Sequence, residues 1–272
     1  MHGHKRSSVC CQAMYAGIRA SGDRPRIFME ADYRGPDHDL AVFYGYTHVL
    51  RRVMADYIAA GKKAVYIDLG YFDREGLRGH HKISINARHP TAYFNARPHD
   101  NYRAAKLGLT TKPWKSNPDG HILLAGMGEK AAEAEGKKVE SFEYWAIAEI
   151  RKITDREIVY RPKPSWVQAR KIPGTIWSPK AQPLAEVMDS AFAIVTHHSN
   201  VAVEALAAGI PAFCWGGVAL CMSLQDLSAI ERPFYPEGRS EWLNSICYTQ
   251  WSIDEMTRGL PWRHLKEEGL IP

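Results

Sequence analysis

The chain has 272 residues, of which 45% are hydrophobic and 24% charged, with a formal net charge of +5. This balance suits one large or two small globular domains with well-filled cores. No stretch has the apolar length of a bilayer span, and the opening MHGHKRSSVCCQAMYAG lacks a signal peptide's apolar core, so a cytoplasmic location and no membrane partner are expected. The five cysteines, Cys10, Cys11, Cys214, Cys221 and Cys247, are odd in number, lack zinc spacing and read as reduced thiols. The mild basic excess fits a polyanionic acceptor or a phosphorylated donor.

In chain order, residues 7–21 contain a short helix ending near Gly22-Asp23, and residues 26–30, RIFME, read as a strand before the polar loop ADYRGPDHD. Leu40–Tyr44 is a second strand, closed by Gly45. Thr47 is placed to cap the helix HVLRRVMADYIAAG, in which Val49, Leu50, Val53, Met54, Tyr57 and Ile58 share one face and Gly61 is the stop. Lys63–Leu69 is a third strand, so this strand–helix–strand run follows the logic of a parallel sheet with right-handed crossovers. Residues 70–103 hold four histidines, six arginines or lysines and five aromatics, a composition that suits either an acceptor site on a loop or a solvated basic loop. Within it IS-IN alternates like a short strand and His89-Pro90 reads as a turn. No metal site is expected there, because His80-His81 has no i, i+4 partner and no carboxylate at ligand spacing. Residues 108–120, GLTTKPWKSNPDG, are the best inter-domain linker, which sets the domains at 1–112 and 113–252 with a tail at 253–272.

His121–Ala125, HILLA, opens a new unit, and Gly126 and Gly128 in the following turn permit close backbone approach by a nucleotide or phosphate. The charged run 129–138 reads as a solvated loop or helix face. Residues 141–154 are helical, with Phe142, Trp145, Ala146, Ile147, Ala148 and Ile150 on the apolar side. EIVY at 157–160 is a strand leading into RPKPSW, where Arg161 and Lys163 alternate on one side of a proline-stiffened segment. Two cations there suit pyrophosphate neutralisation or, equally, a surface salt-bridging pair. Residues 175–177 are a short strand, residues 183–190 a helix, Gly216-Gly217 a tight turn, and Ser252 before IDEM a capping signal.

The chain is organised around residues 191–213, AFAIVTHHSNVAVEALAAGIPAF. Residues 191–195 are a continuous apolar run suited to a buried parallel strand. Thr196, His197, His198, Ser199 and Asn200 offer polar groups at its carboxyl end, and VAVEALAAG is a short helix that Gly209 ends and Pro211 blocks. A strand feeding a helix N-terminus through a small polar turn makes an anion site. Glu204 lies one turn after Asn200, where a carboxylate can meet ribose hydroxyls.

This stretch, with its EALAAGIP helix, resembles the donor-binding element of GT-B glycosyltransferases and, more narrowly, small DNA-modifying glycosyltransferases of phage type. The run His81, Lys82, Ser84, Asn86, Arg88, His89, Pro90 resembles the phage-type proteins as well. One departure is that Thr196 stands eight positions before Glu204, where many retaining members carry a second glutamate, which leaves the stereochemical outcome open.

The resemblance implies an α/β GT-B fold: two Rossmann-like domains with parallel sheets facing a central cleft, and a terminal helix returning to the first domain. It implies transfer of a sugar from a nucleoside diphosphate sugar, a UDP-sugar as best guess, to a 5-hydroxymethylpyrimidine in double-stranded DNA, in the host cytoplasm if the chain is phage-encoded. Gly126 and Gly128 would lie near phosphate or base, Arg161, Lys163 and the Thr196, His197, His198, Ser199, Asn200 turn on the diphosphate, and Glu204 on ribose. No tightly bound cofactor is expected, and a metal is dispensable where cations and helix N–H groups stabilise the leaving diphosphate. The one D-x-D, Asp37 to Asp39, reads as a turn. Asp68, at a strand's carboxyl end, is the first choice of base, His81 the second and Asp73 the third. Lys82, Asn86, Arg88 and His89 would bind the acceptor, and Tyr71, Phe72, Tyr93 and Phe94 would stack on a flipped base. Transfer to a polysaccharide or small glycan, nucleotide-sugar epimerisation and a non-catalytic nucleic-acid-binding module are the alternatives.

Overall fold

The computed structural model describes residues 2–91 and 98–272, with side chains from residue 6 onward. The chain divides into two compact units, Met1–His99 with Ser245–Pro272, and Asp100–Asn244. The first unit begins with helix α1, His2–Ala20, ended by Gly22 at a positive φ of 91°. Strand β1, Leu40–Tyr44, leads into helix α2, His48–Ala59, and strand β2, Lys63–Leu69. Thr47 caps α2, its hydroxyl accepting from Leu50 N at 3.2 Å. Leu50, Val53, Met54 and Tyr57 bury against Phe43, Ala64 and Tyr66, while Ile58 is exposed. The β1 and β2 pair is parallel, as a βαβ unit requires.

Strand β3, His81–Ile85, then runs antiparallel to β2, so this sheet is mixed and only its first pair meets the expectation of parallel strands. Asn86 makes the turn after β3 at φ 56°, exchanging bonds with Ala64: its Oδ1 accepts from Ala64 N at 2.7 Å and its N donates to Ala64 O at 2.8 Å. Residues 26–29 form no strand. They precede a single 3-10 turn, Glu30–Asp32, and Ile27, Phe28 and Met29 are exposed. Three apolar residues in a row carry no period-2 pattern, and none of them pairs with a strand.

The second unit contains helix α3, Tyr102–Lys106, strand β4, His121–Ala125, helix α4, Glu129–Ala134, and helix α5, Ser141–Arg151. Strands β5, Ile158–Arg161, and β6, Ile176–Trp177, follow, then helix α6, Leu184–Asp189, and strand β7, Ala191–Thr196. Helix α7, Asn200–Ala207, strand β8, Ala212–Cys214, and helix α8, Arg239–Cys247, complete the order. The five strands are all parallel in the order β6-β5-β4-β7-β8. The chain winds outward from β4 to β6 and then returns to place β7 beside β4. Full burial on both faces explains why β4 and β7 read as unbroken apolar runs: Ile122 to Leu124 and Ala193 to Val195 are sealed from solvent. Helix α7 ends in a Schellman motif, with Ile210 N donating to Ala205 O at 2.9 Å and Gly209 N to Leu206 O at 3.2 Å. Gly209 has φ 81°, and a Cβ there would lie 2.0 Å from Pro113 O. The Pro/Gly-rich segment 108–120 is fastened to this point, since Lys112 N donates to Ala207 O and Lys115 N to Gly209 O.

The chain then re-enters the first unit. Strand β9, Gln250–Trp251, pairs antiparallel with β3, giving a sheet of order β1-β2-β3-β9. Helix α9, Ile253–Thr257, is opened by a Ser252/Glu255 capping box, and helix α10, Leu260–Glu267, follows. These helices share a core with α1, in which Cys10, Met14 and Ile18 meet Ile67, Ile83, Trp251, Met256 and Trp262. Gly17 lets α1 approach closely, because a Cβ there would lie 1.9 Å from Met256 O.

Candidate functional site

In the second unit, strand register aligns four carboxyl ends. Ala125 is level with Arg161 on one side and Thr196 on the other, and Thr196 is level with Cys214. The turns that follow, 126–128, 162–163, 197–200 and 215–217, therefore leave one edge of the sheet together. β4 and β7 are the strands between which the winding reverses, and open parallel sheets bind ligands at the carboxyl ends of such a pair. Thr196 Oγ1 donates to Ala125 O at 2.8 Å across that pair.

Gly126 gives Glu143 and Tyr160 room beside the turn. A Cβ would lie 2.9 Å from Glu143 Oε1 and 3.0 Å from the Tyr160 ring. Gly128 has φ 73°, and a Cβ there would lie 3.2 Å from Lys163 Cβ, so the GMG turn and the RPKP segment are in contact. Glu143 accepts from Met127 N at 2.7 Å and is almost wholly buried, and that burial raises its pKa. Its other oxygen and the Tyr160 hydroxyl are buried with no hydrogen-bond partner.

Arg161 is buried and clamps its own surroundings. Its guanidinium donates to Ser178 Oγ at 2.8 Å, Pro179 O at 3.3 Å and Gln182 O at 2.8 Å. Burial lowers its pKa, while the Glu204 carboxylate on α7 acts on it in the opposite sense. His197 and His198 face each other, Nδ1 to Nδ1, at 2.8 Å, so one imidazole donates to the other. Phe142 packs edge-on to both His197 and Trp215, and Trp215 N donates to His197 O at 2.8 Å. Ser199 is the N-cap of α7, its hydroxyl accepting from Val201 N at 3.3 Å.

The other expected residues lie in the first unit. Asp68, near the carboxyl end of β2, accepts from the Tyr66 hydroxyl at 2.7 Å and from Leu69 N at 2.8 Å. Lys82 is its partner across the strand pair, buried with Nζ 5.9 Å from the Tyr66 ring centre and 5.8 Å from that of Tyr71. His89 Nδ1 lies 3.3 Å from Lys82 Nζ and 3.4 Å from the Tyr71 hydroxyl. The Arg88 guanidinium sits 5.0 Å over the Tyr46 ring. Asp68, Lys82, Arg88 and His89 thus border one tyrosine-lined cluster.

Three expected residues take other places. His81 is fully buried, edge-on to Tyr44, and burial lowers its pKa to about 4, so it is neutral and out of an acceptor's reach. Asn86 shapes the β3 turn, and Asp73 lies beside His80, with 3.2 Å between Oδ2 and Nδ1. Tyr71 is fully buried and cannot stack on a flipped base; Phe72 is half-buried, and Tyr93 and Phe94 lie outside the described residues. Sequence reasoning passed over Glu143, Tyr160, Tyr66 and Trp215. Glu143 had a signal in its spacing to Ala146 and Ile150, which puts it on the buried stripe of α5.

No protein-family model and no curated protein matches this sequence. Solved structures do match. The β-Kdo 2,4 transferase of Thermosulfurimonas dismutans KpsC aligns over 82% of this chain and 88% of its own, with 12% identity and a TM-score of 0.51. The β-Kdo 2,7 transferase of the same KpsC aligns over 83% and 85%, with 14% identity and a TM-score of 0.50. The fold is GT-B. Within this GT-B chain the second unit carries the all-parallel sheet and the Gly126, Arg161, Thr196 row. Among the described residues no helix is long and apolar enough to cross a membrane.

Proposed function

We propose that this chain is a glycosyltransferase that moves a sugar from a nucleoside diphosphate sugar to an acceptor hydroxyl. The observation that carries this reading is the alignment of the 126–128, 162–163 and 197–200 turns at the switch point of a GT-B parallel sheet, with Glu204 one helical turn on. The 126–128 turn accommodates the nucleotide where backbone approach is closest. Lys163 and the start of α7 offset charge on the diphosphate, Arg161 holds the loop 178–182 that walls the site, and Glu204 accepts from ribose hydroxyls. The acceptor oxygen attacks the anomeric carbon, the bond from that carbon to the diphosphate oxygen breaks, and Asp68 takes the acceptor proton. The Tyr66 hydroxyl and Leu69 N–H fix the Asp68 carboxylate for that task.

For the acceptor, the net charge of +5 and the half-buried Arg88, His89 and Tyr46 favour a hydroxymethylated pyrimidine in double-stranded DNA. A second reading, a glycan hydroxyl, is favoured by the Kdo transferase fold neighbours. The test incubates the chain with a panel of nucleotide sugars, UDP-sugars and activated Kdo included, against hydroxymethylated, unmodified and single-stranded DNA and oligosaccharides. Products are read by mass spectrometry. Mass gain on hydroxymethylated DNA alone is expected. Gain only on glycans replaces the acceptor, conversion of donor without acceptor means epimerisation, and no reaction with any pair overturns the proposal. Glu204→Ala is expected to raise the donor KM about tenfold or more, and Asp68→Asn to lower kcat by roughly 10²-fold or more while sparing donor binding.

A further inference from the structure

The first unit also brings together three side chains suited to a metal ion. His264 lies on α10 and Glu268 caps the same helix four residues on, so both project from one face. His99 joins them, and one ligand atom from each of the three lies within 4.8 Å of the others. Two imidazoles and one carboxylate form a donor set that zinc takes with its fourth position open. All three residues are half-buried.

The surroundings are those of a supported site. His99 Nδ1 is 3.2 Å from Ser245 Oγ, a contact that holds the ring and leaves Nε2 as the nitrogen for a cation. The Tyr248 ring stacks on His99 at 4.6 Å, and Trp251 lies 5.4 Å from His264, so aromatic walls fix both rings. A tetrahedral ion with bonds of roughly 2.0–2.2 Å holds its ligand atoms roughly 3.3 Å apart, which modest side-chain rotation reaches from this spacing. His99 is also the last residue before the chain leaves the first unit, and Ser245 the first after it returns.

We propose that His99, His264 and Glu268 bind one divalent transition ion, zinc by the chemistry of the donor set, and that the ion ties the two crossing points to the C-terminal helix. This assignment is independent of sugar transfer. The test uses the full chain, stripped with chelator and dialysed, titrated with Zn²⁺ by calorimetry and with Co²⁺ by visible absorbance. One ion per chain is expected, with the d–d bands of a tetrahedral site and a zinc-dependent rise in melting temperature. His264→Gln should weaken binding at least 100-fold and Glu268→Gln at least 10-fold, with the melting rise lost in both. His48→Gln, at an exposed position, should change nothing. Circular dichroism confirms folding, and His99→Gln replaces any variant that fails that check. The chain has twelve histidines; binding that is non-stoichiometric, or equal in wild type and the site variants, would mean surface histidines only and overturn the proposal.

Discussion

His81 gives the sharpest prediction about stability. In the folded chain, burial holds its imidazole down at about 4 against an ordinary 6.5, with the Arg6 charge acting in the same direction. The unfolded chain takes up this proton as pH falls below about 6.5, and the folded chain only near about 4. His81 thus contributes stability that is complete above about pH 6.5 and is lost as pH falls toward about 4. The gap is worth about 2 kcal/mol by about pH 5 and about 3 kcal/mol by about pH 4. His81→Phe keeps a ring against Tyr44 but has no proton to gain. Urea unfolding followed by tryptophan fluorescence reads the effect, because Trp251 and Trp262 lie in the core of the same unit. The wild type should lose about 2 kcal/mol more than His81→Phe between about pH 7 and about pH 5. Parallel pH profiles for the two would refute the account of a neutral, sealed imidazole.

Four further substitutions, at three positions, test the scaffold. Glu143→Leu fills the same space but removes the acceptor from Met127 N–H, so a loss of roughly 1–3 kcal/mol in chemical denaturation is expected. Glu143→Gln keeps that acceptor, and because burial raises the Glu143 pKa, the Gln variant should gain relative to wild type as pH rises. Gly209→Ala meets both a positive φ and the Pro113 carbonyl, and should cost more than about 1 kcal/mol and lower the melting temperature. Asn86→Ala should lose roughly 1–3 kcal/mol by removing the acceptor for Ala64 N in a left-handed turn, while leaving the acceptor KM of the folded fraction unchanged. A raised KM at unchanged stability would return Asn86 to the acceptor site.

What could be read ahead of the structure follows from burial. HILLA and AFAIV were legible as strands because the middle of a parallel strand covered on both faces has nowhere to place a polar residue, and β7 runs one residue further, to Thr196. Thr47 and Ser252 were legible because a hydroxyl before an apolar run most readily caps the helix, whereas Ser199, read as part of the diphosphate turn, turns out to cap α7. RIFME misled because three consecutive apolar residues look like a strand locally, although strandhood depends on a neighbour with open N–H and C=O groups. The mixed character of the first sheet was hidden because nothing in the loop-rich stretch 70–80 shows that β3 turns back antiparallel beside β2, and β9, which pairs with β3, comes from far along the chain. Arg161 was visible as a cation, but its three internal acceptors arise from loop 178–182, whose path no local pattern predicts. Glu143 was hidden by its type, since a carboxylate on a helix is ordinarily assigned to water.

The interleaving of the units bears on how the protein is made. Asp100–Asn244 is an unbroken stretch and can close its five-stranded sheet as soon as it has left the ribosome. The earlier-synthesised half cannot finish its core: Met14 and Ile18 can meet Ile67 and Ile83 early, but Met256, Gly259 and Trp262 arrive only at the end of the chain. Synthesis from the N-terminus therefore completes the later unit first, and an interrupted translation product would expose the side of α1 and its core that Trp251, Met256 and Trp262 cover in the full chain.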